Sequence, residues 1–228
     1  MQNELAFPEP KRWGGRRAGA GRRKGKGDGR VAHASREPVS KHDPRLVTLK
    51  LAEGLPGLRN VRTADALTSC IRAAQKRSFR IVHYSIQSNH LHLIIEAHDR
   101  DALSNGMKGF ACRIARALNK LWRRRGRVFS ERFHDRVLRS LNQVRSALKY
   151  VLNNHLKHAE HPSKLGPSPI PDWYSSGRYF DGWLNRPPDL AAGAQGAVVA
   201  VPCWKIRHGW KRHYRAIATD EAPRRLST

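Results

Sequence analysis

The chain has 228 residues and a formal net charge of +26, with 44 Lys and Arg against 18 Asp and Glu. A field of that sign and size departs from the balance of an ordinary soluble enzyme and favours polyanions, chiefly nucleic acid. No apolar run reaches the length of a spanning helix, and the N-terminus shows no charged start followed by an apolar core, so no membrane role is expected.

In chain order, the first segment is an arm over residues 1–44. Within it, residues 11–30 hold nine Lys and Arg against the single acid Asp28, broken up by glycine. Almost nothing there is available for burial, so a disordered basic arm is expected. Arg16, Arg17, Arg22, Arg23 and Lys24 are its candidate DNA-backbone contacts, acting without sequence specificity. A compact domain is expected over residues 45–160. Its elements begin with an alternating strand, Leu46–Ala52, and a helically spaced segment, Ala64–Ser78. Two strands follow, Phe79–Gln87 and His90–Ala97, joined by the hairpin-sized Ser88-Asn89.

A long helix then carries Leu103, Met107, Phe110, Ile114, Leu118 and Leu121 on one stripe. It ends in Trp122–Arg127, where Arg123, Arg124 and Arg125 are candidate phosphate contacts as well as favourable charges at a helix end. After "RVFSERFHDRVLRS", a strand or an irregular hairpin, "NQVRSALKYVLNNHLKH" reads as one further amphipathic helix. Residues 161–228 are read as a proline-rich linker and a basic aromatic extension. In the latter, Trp204, Ile206 and Trp210 suit either an amphipathic helix or a folded-back tail. The order β-α-β-β-α-β-α implies an α+β, ferredoxin-like antiparallel sheet with packed helices.

The third strand, "HLHLIIEA", raises the chemical question. His90 and His92 share one face while Leu91, Leu93 and Ile95 take the other. In the expected topology this strand is central. Tyr150 and Asn154 lie four apart, hence on one helical face. Two imidazoles, an amide oxygen and a phenol brought together make a candidate metal site (His90, His92, Asn154) beside a candidate nucleophile, Tyr150. Glu96 shares the histidine face, as a supporting group or a solvated strand-end carboxylate. Cys70, Cys112 and Cys203 are widely spaced and form no C-x-x-C pair, so neither a zinc site nor a disulfide framework is indicated, and a reducing intracellular compartment is expected.

These residues resemble a known family. "SNHLHLI" is similar to the histidine–hydrophobe–histidine (HUH) motif of single-tyrosine transposases, and "YVLNN" to their tyrosine helix. The group resembled most is the REP-associated tyrosine transposases, whose flanking segments are similar to "WGGRRAGAGRRKG", "RVFSERFHDRVL" and "YSSGRYFDGW". Family members often follow the helix's asparagine with proline; here His155 follows Asn154, leaving the helix free to continue.

The resemblance implies an HUH endonuclease core that cleaves and rejoins single-stranded, hairpin-bearing DNA through a 5′-phosphotyrosine at Tyr150. It implies a divalent ion, Mg²⁺ or Mn²⁺, on His90, His92 and Asn154, and a cytoplasmic, nucleoid-associated bacterial protein. Monomer and homodimer both stay open. Two competing readings share the fold or the chemistry. One is a non-enzymatic single-strand binding module of RRM-like fold, although histidines stand where such a sheet would present Phe or Tyr. The other is a replication initiator using the same reaction on another substrate.

Overall fold

The computed structural model describes residues 37–158, 171–185 and 203–223. Arg16, Arg17, Arg22, Arg23 and Lys24 of the expected arm, and most of the proline-rich stretch, lie outside the described residues. The domain's elements are β1 (Arg45–Lys50), α1 (Val61–Ala74), β2 (Phe79–Ile86), β3 (His90–Ala97), α2 (Arg100–Leu121), β4 (His134–Val137) and α3 (Leu141–Leu152). The strands form one antiparallel sheet in the order β2-β3-β1-β4, the ferredoxin-like arrangement, with β3 central.

Local chemistry starts each helix. Asn60 caps α1 by accepting from the Thr63 amide at 2.9 Å, and Asp99 caps α2 through the Ala102 amide at 2.8 Å. Ser140 and Gln143 form a reciprocal capping box at the start of α3. The alternation along the strands then sends side chains to two different layers. Val47, Leu49, Leu91, Leu93 and Ile95 pack with α1 and α2. Leu46, Val82 and Ile94 pack with α3. Gly106 lets α2 approach the sheet, since a Cβ there would lie 2.3 Å from the Phe79 ring.

Two expectations are corrected. The tyrosine helix does not run on through Asn154: α3 ends at Leu152, Asn153 leaves helical geometry at φ −108°, ψ 16°, and a short α4 (Asn154–His158) resumes. The cause is tertiary. The Asn153 side chain donates to the carbonyls of Ala218 at 2.9 Å and Glu221 at 3.1 Å, tying that turn to the C-terminal segment.

The second correction concerns residues beyond 160, read as linker and extension. Both described stretches are built into the fold. Residues 171–176 run along the outer edge of β2, with the Ile86 amide donating to Tyr174 O at 2.8 Å, a Ser85–Ser175 bridge, and Arg59 gripping Asp172 through both guanidinium nitrogens at 2.8 and 2.9 Å. That cover blunts an otherwise open sheet edge. Residues 205–213 are helical, a π-turn (Lys205–Gly209) running into α5 (Trp210–His213). Ile206 and Trp210 are buried against α3 with Phe180, Trp183 and Ile217, whereas Trp204, expected as a third anchor, is 48% exposed. Among the described residues no helix is long and apolar enough to cross a membrane.

Candidate active site

The sheet face under α3 is apolar where Leu46, Val82 and Ile94 lie, and polar at the end where β3 begins. Register explains the change. His92 stands opposite Thr48 on β1 and opposite Ser85 on β2, and Thr48 in turn stands opposite His134 on β4. Directly opposed residues share a face. A polar row therefore crosses all four strands, and His90 lies one pleat beyond it.

At the edge of this row the two imidazoles meet edge to face, with ring centroids 4.5 Å apart and Nε2 atoms 2.9 Å apart. Each Nδ1 is engaged from behind. Asn89 Oδ1 accepts from His90 Nδ1–H at 2.8 Å, and Thr48 Oγ1 meets His92 Nδ1 at 3.1 Å. An amide oxygen can only accept, so the proton of a neutral His90 sits on Nδ1 and its Nε2 presents a lone pair. Partners of this kind fix ring orientation and tautomer at metal sites.

Tyr150 reaches the same point from α3. Its hydroxyl lies 3.2 Å from His92 Nε2, with the rings crossed at 69° and centroids 4.8 Å apart. Burial pushes its phenol above the ordinary value. The residue that follows the break in the helix, Asn154, is fully buried, and neither its amide nitrogen nor its amide oxygen has a hydrogen-bond partner. An amide buried without partners costs free energy, roughly 1–3 kcal/mol, unless something polar completes it.

This donor set fits a divalent cation. The Nε2 separation of 2.9 Å matches the edge of an octahedron with bonds of about 2.1 Å, which is roughly 3 Å. Among the described residues no three His, Cys, Asp or Glu side chains cluster. Asn154, expected as the third donor, has an amide oxygen without a hydrogen-bond partner.

The remaining candidates are distributed. Arg123 and Arg125 are exposed after α2, Arg123 in the left-handed region at φ 51°. Arg124 is half-buried and closes the turn, donating to Asn119 Oδ1 at 3.0 Å and Arg127 O at 3.2 Å. The chain leaving this turn lies beside the end of β1, with the Ala52 amide on Val128 O and the Ser130 amide on Lys50 O. Lys50 is the register partner of His90, so the arginine run leads to the histidine end of the sheet. Glu96 is at the other end of β3, buried, and accepts from the Cys203 amide at 3.1 Å. Burial raises its carboxyl to about 7, against lowering effects from that amide and from Arg80.

The sequence reading missed Thr48, which supports His92, and the buried His83; His134, expected at the surface, is exposed and pairs with Glu131 at 2.9 Å. Pairing β1 antiparallel to β3 with Lys50 opposite His90 would have found Thr48. His83 is buried on the same face beyond the β2 bulge, its Nδ1 3.1 Å from Ser176 Oγ, and burial lowers it to about 4. Nothing local marks it, because its partner is 93 residues away.

A protein-family model described as "Transposase IS200 like" matches residues 58–154, a span that contains His90, His92, Tyr150 and Asn154. No curated protein matches the chain. Among solved structures, a REP-associated tyrosine transposase bound to a REP hairpin is 18% identical, covering 57% of this chain and 75% of that one, with a TM-score of 0.48. A bacterial tRNA(His) guanylyltransferase-like protein in complex with ATP is 10% identical, covering 54% and 62%, with a TM-score of 0.39.

Proposed function

We propose that this chain, whose residues 58–154 match the family model described as "Transposase IS200 like", is a transposase that cuts and rejoins single-stranded, hairpin-bearing DNA in the cytoplasm. The observation that carries this reading is the Tyr150 hydroxyl, held 3.2 Å from His92 Nε2, which itself lies 2.9 Å from His90 Nε2.

Tyr150 is the nucleophile. Its oxygen attacks the scissile phosphorus, the bond to the 3′ oxygen breaks, and the 5′ phosphate stays on the phenol as a phosphodiester. Because the bond energy is retained, a second strand end can reverse the step. A divalent cation, Mg²⁺ or Mn²⁺, held by His90, His92 and Asn154, would supply positive charge to the phosphate oxygens and to the leaving 3′ oxygen. Thr48 and Asn89 keep the imidazoles in register from behind. Burial pushes the phenol above its ordinary value, which keeps it neutral until positive charge is brought beside it. Arg123 and Arg125, on the turn leading to the His90 end, are proposed to hold the DNA backbone. The arm residues Arg16, Arg17, Arg22, Arg23 and Lys24 are proposed to capture it from solution.

The test is a covalent adduct. Wild-type protein incubated with Mn²⁺ and a single-stranded hairpin oligonucleotide is expected to yield a denaturant-resistant protein–DNA species. Tyr150→Phe removes only the attacking oxygen, so affinity should persist while the adduct disappears. An adduct formed equally by the Phe variant would overturn the assignment.

A further inference from the structure

At the β2 edge of the sheet a small cleft of about 210 Å³ opens between α1 and residues 173–179. Tyr84 of β2 and Arg72 of α1 line it, and Trp173, Arg178 and Tyr179 close it. The volume falls below the roughly 300–1,000 Å³ of sites for whole small molecules, so the cleft takes one group of a larger ligand. Its walls are held in place. Arg59 grips Asp172, the Tyr84 amide donates to Ser176 Oγ at 3.0 Å, and Trp183 Nε1 donates to Gly177 O at 2.8 Å. On that fixed stretch the Arg178 guanidinium stacks over the Trp173 ring, 3.7 Å from its centroid. A stacked guanidinium keeps its in-plane N–H groups for other partners. Trp173 is 65% exposed, the most of any large apolar side chain among the described residues.

Two guanidiniums meet at this cleft from different walls. Burial raises the Tyr84 phenol, as does Tyr179 beside it, while Arg178 and Arg72 are close enough to lower it. The hydroxyl stays a neutral donor. Guanidiniums and O–H donors around so small a space suit a single phosphate group. Asp65, the acid among the lining residues, lies seven residues before Arg72 on α1, about 10 Å along the axis, and confines an anion to the Arg72 end. We infer that this cleft anchors the DNA strand outside the catalytic centre: one backbone phosphate sits between Arg178 and Arg72, and the adjoining base stacks on the face of Trp173 away from Arg178, whatever its identity. The position fits a strand that leaves the histidines. Tyr84 lies next to Ser85, the register partner of His92, and belongs to the opposite apolar layer. β2 is the edge strand beside β3, about 4.8 Å from it, so a single strand crossing this edge and its 171–176 cover reaches the cleft within a few nucleotides. The inference rests on the reading of the chain as an enzyme of single-stranded DNA, and it adds to that reading a contact indifferent to sequence.

The experiment uses full-length Tyr150→Phe protein, which is expected to bind without cleaving. The probe is a single-stranded hairpin oligonucleotide in which one backbone phosphate at a time is replaced by an uncharged methylphosphonate. Neutralising one phosphate outside the hairpin is expected to lower affinity about fivefold. Arg178→Gln should weaken the unmodified probe by the same factor and make that one replacement silent, while the losses at other phosphates stay. Arg72→Gln, at an exposed position, should do the same with the Trp173 stack left intact. Trp173→Ala should cost about tenfold with any base beside that phosphate, and nothing once that base is removed as an abasic site. A scan with no sensitive phosphate outside the hairpin, or one that Arg178→Gln and Arg72→Gln both leave unchanged, overturns the anchor. So does saturable, Arg178-dependent binding of inorganic phosphate alongside a flat scan, which would make the cleft a site for the free ion. Adduct formation by the Tyr150 protein is scored separately. An adduct with a flat scan removes only the anchor, and an Arg178-dependent phosphate without an adduct removes only the transposase chemistry.

Discussion

The two faces of one sheet do different work with the same strands. The face toward α1 and α2 is closed and apolar, with Leu91, Leu93 and Ile95 all at 1% exposure or less. The face toward α3 is apolar only in part, and beside Ile94 it places His92, Thr48 and Ser85 in one row. A strand with period two can therefore store stability on one side and chemistry on the other. The comparison predicts that substitutions on the two faces of β3 separate stability from activity.

The largest separation is expected at His90. His90→Ala should lower adduct formation by about a thousandfold, since charge stabilisation by a bound cation is worth several kcal/mol. Because His90 is only half-buried, thermal unfolding should shift by no more than a few degrees. An unfolded His90→Ala protein would place the histidine in the stabilising layer and break the division.

Ile95→Ala is the converse. It removes a fully buried side chain from the closed face and should cost about 2–5 kcal/mol in denaturant unfolding. At low temperature, where the variant stays folded, adduct yield should be close to that of the parent.

His83 sharpens the contrast through pH. It lies on the α3 face, fully buried against Ser176 and Phe180, with Asp181 raising and Lys211 lowering its pKa around a net fall to about 4. The unfolded chain takes up that proton near 6.5, so below that pH the unfolded state binds more protons than the folded one. The His83 contribution is complete above pH 6.5 and is lost as pH falls toward 4, by about 3 kcal/mol in all. Glu96 runs the other way. Its carboxyl is raised from 4.5 to about 7, so its contribution is complete below pH 4.5 and is lost as pH rises to 7. Urea titrations from pH 4 to 8 should flatten on the acid side in His83→Gln and on the neutral side in Glu96→Gln.

The smallest effect is expected at the clamp on α3. Glu221 pairs with Arg145 and Lys149, both at 3.0 Å, five residues and one residue before Tyr150 on α3. These groups are partly solvated, so Glu221→Gln should cost about 1 kcal/mol or less. A larger loss in adduct yield than in stability would mean that the clamp positions the tyrosine as well as the helix.

Much of this was legible in the chain itself, for a local reason. Alternation along "HLHLIIEA" puts His90 and His92 on one face and the leucines on the other, whatever the strand's neighbours are. The helical stripe of α2 and the capping box at Ser140 are equally local, and the order of elements then leaves few sheets to choose from. Tyr150 was legible because a motif carried it.

What depended on distant residues was not legible. Thr48 supports His92 only once β1 and β3 settle their register, and the choice of register belongs to the packed faces on both sides. The break at Asn153 runs against a good helical pattern, because side-chain bonds to residues 218 and 221 outweigh local propensity. Composition marked residues beyond 160 as a tail, yet Phe180, Trp183, Ile206 and Trp210 complete the second apolar layer. A few large side chains can close a core from within a basic, proline-containing stretch. Their burial has no period to read, since it is decided by the surface that α3 and the sheet leave open.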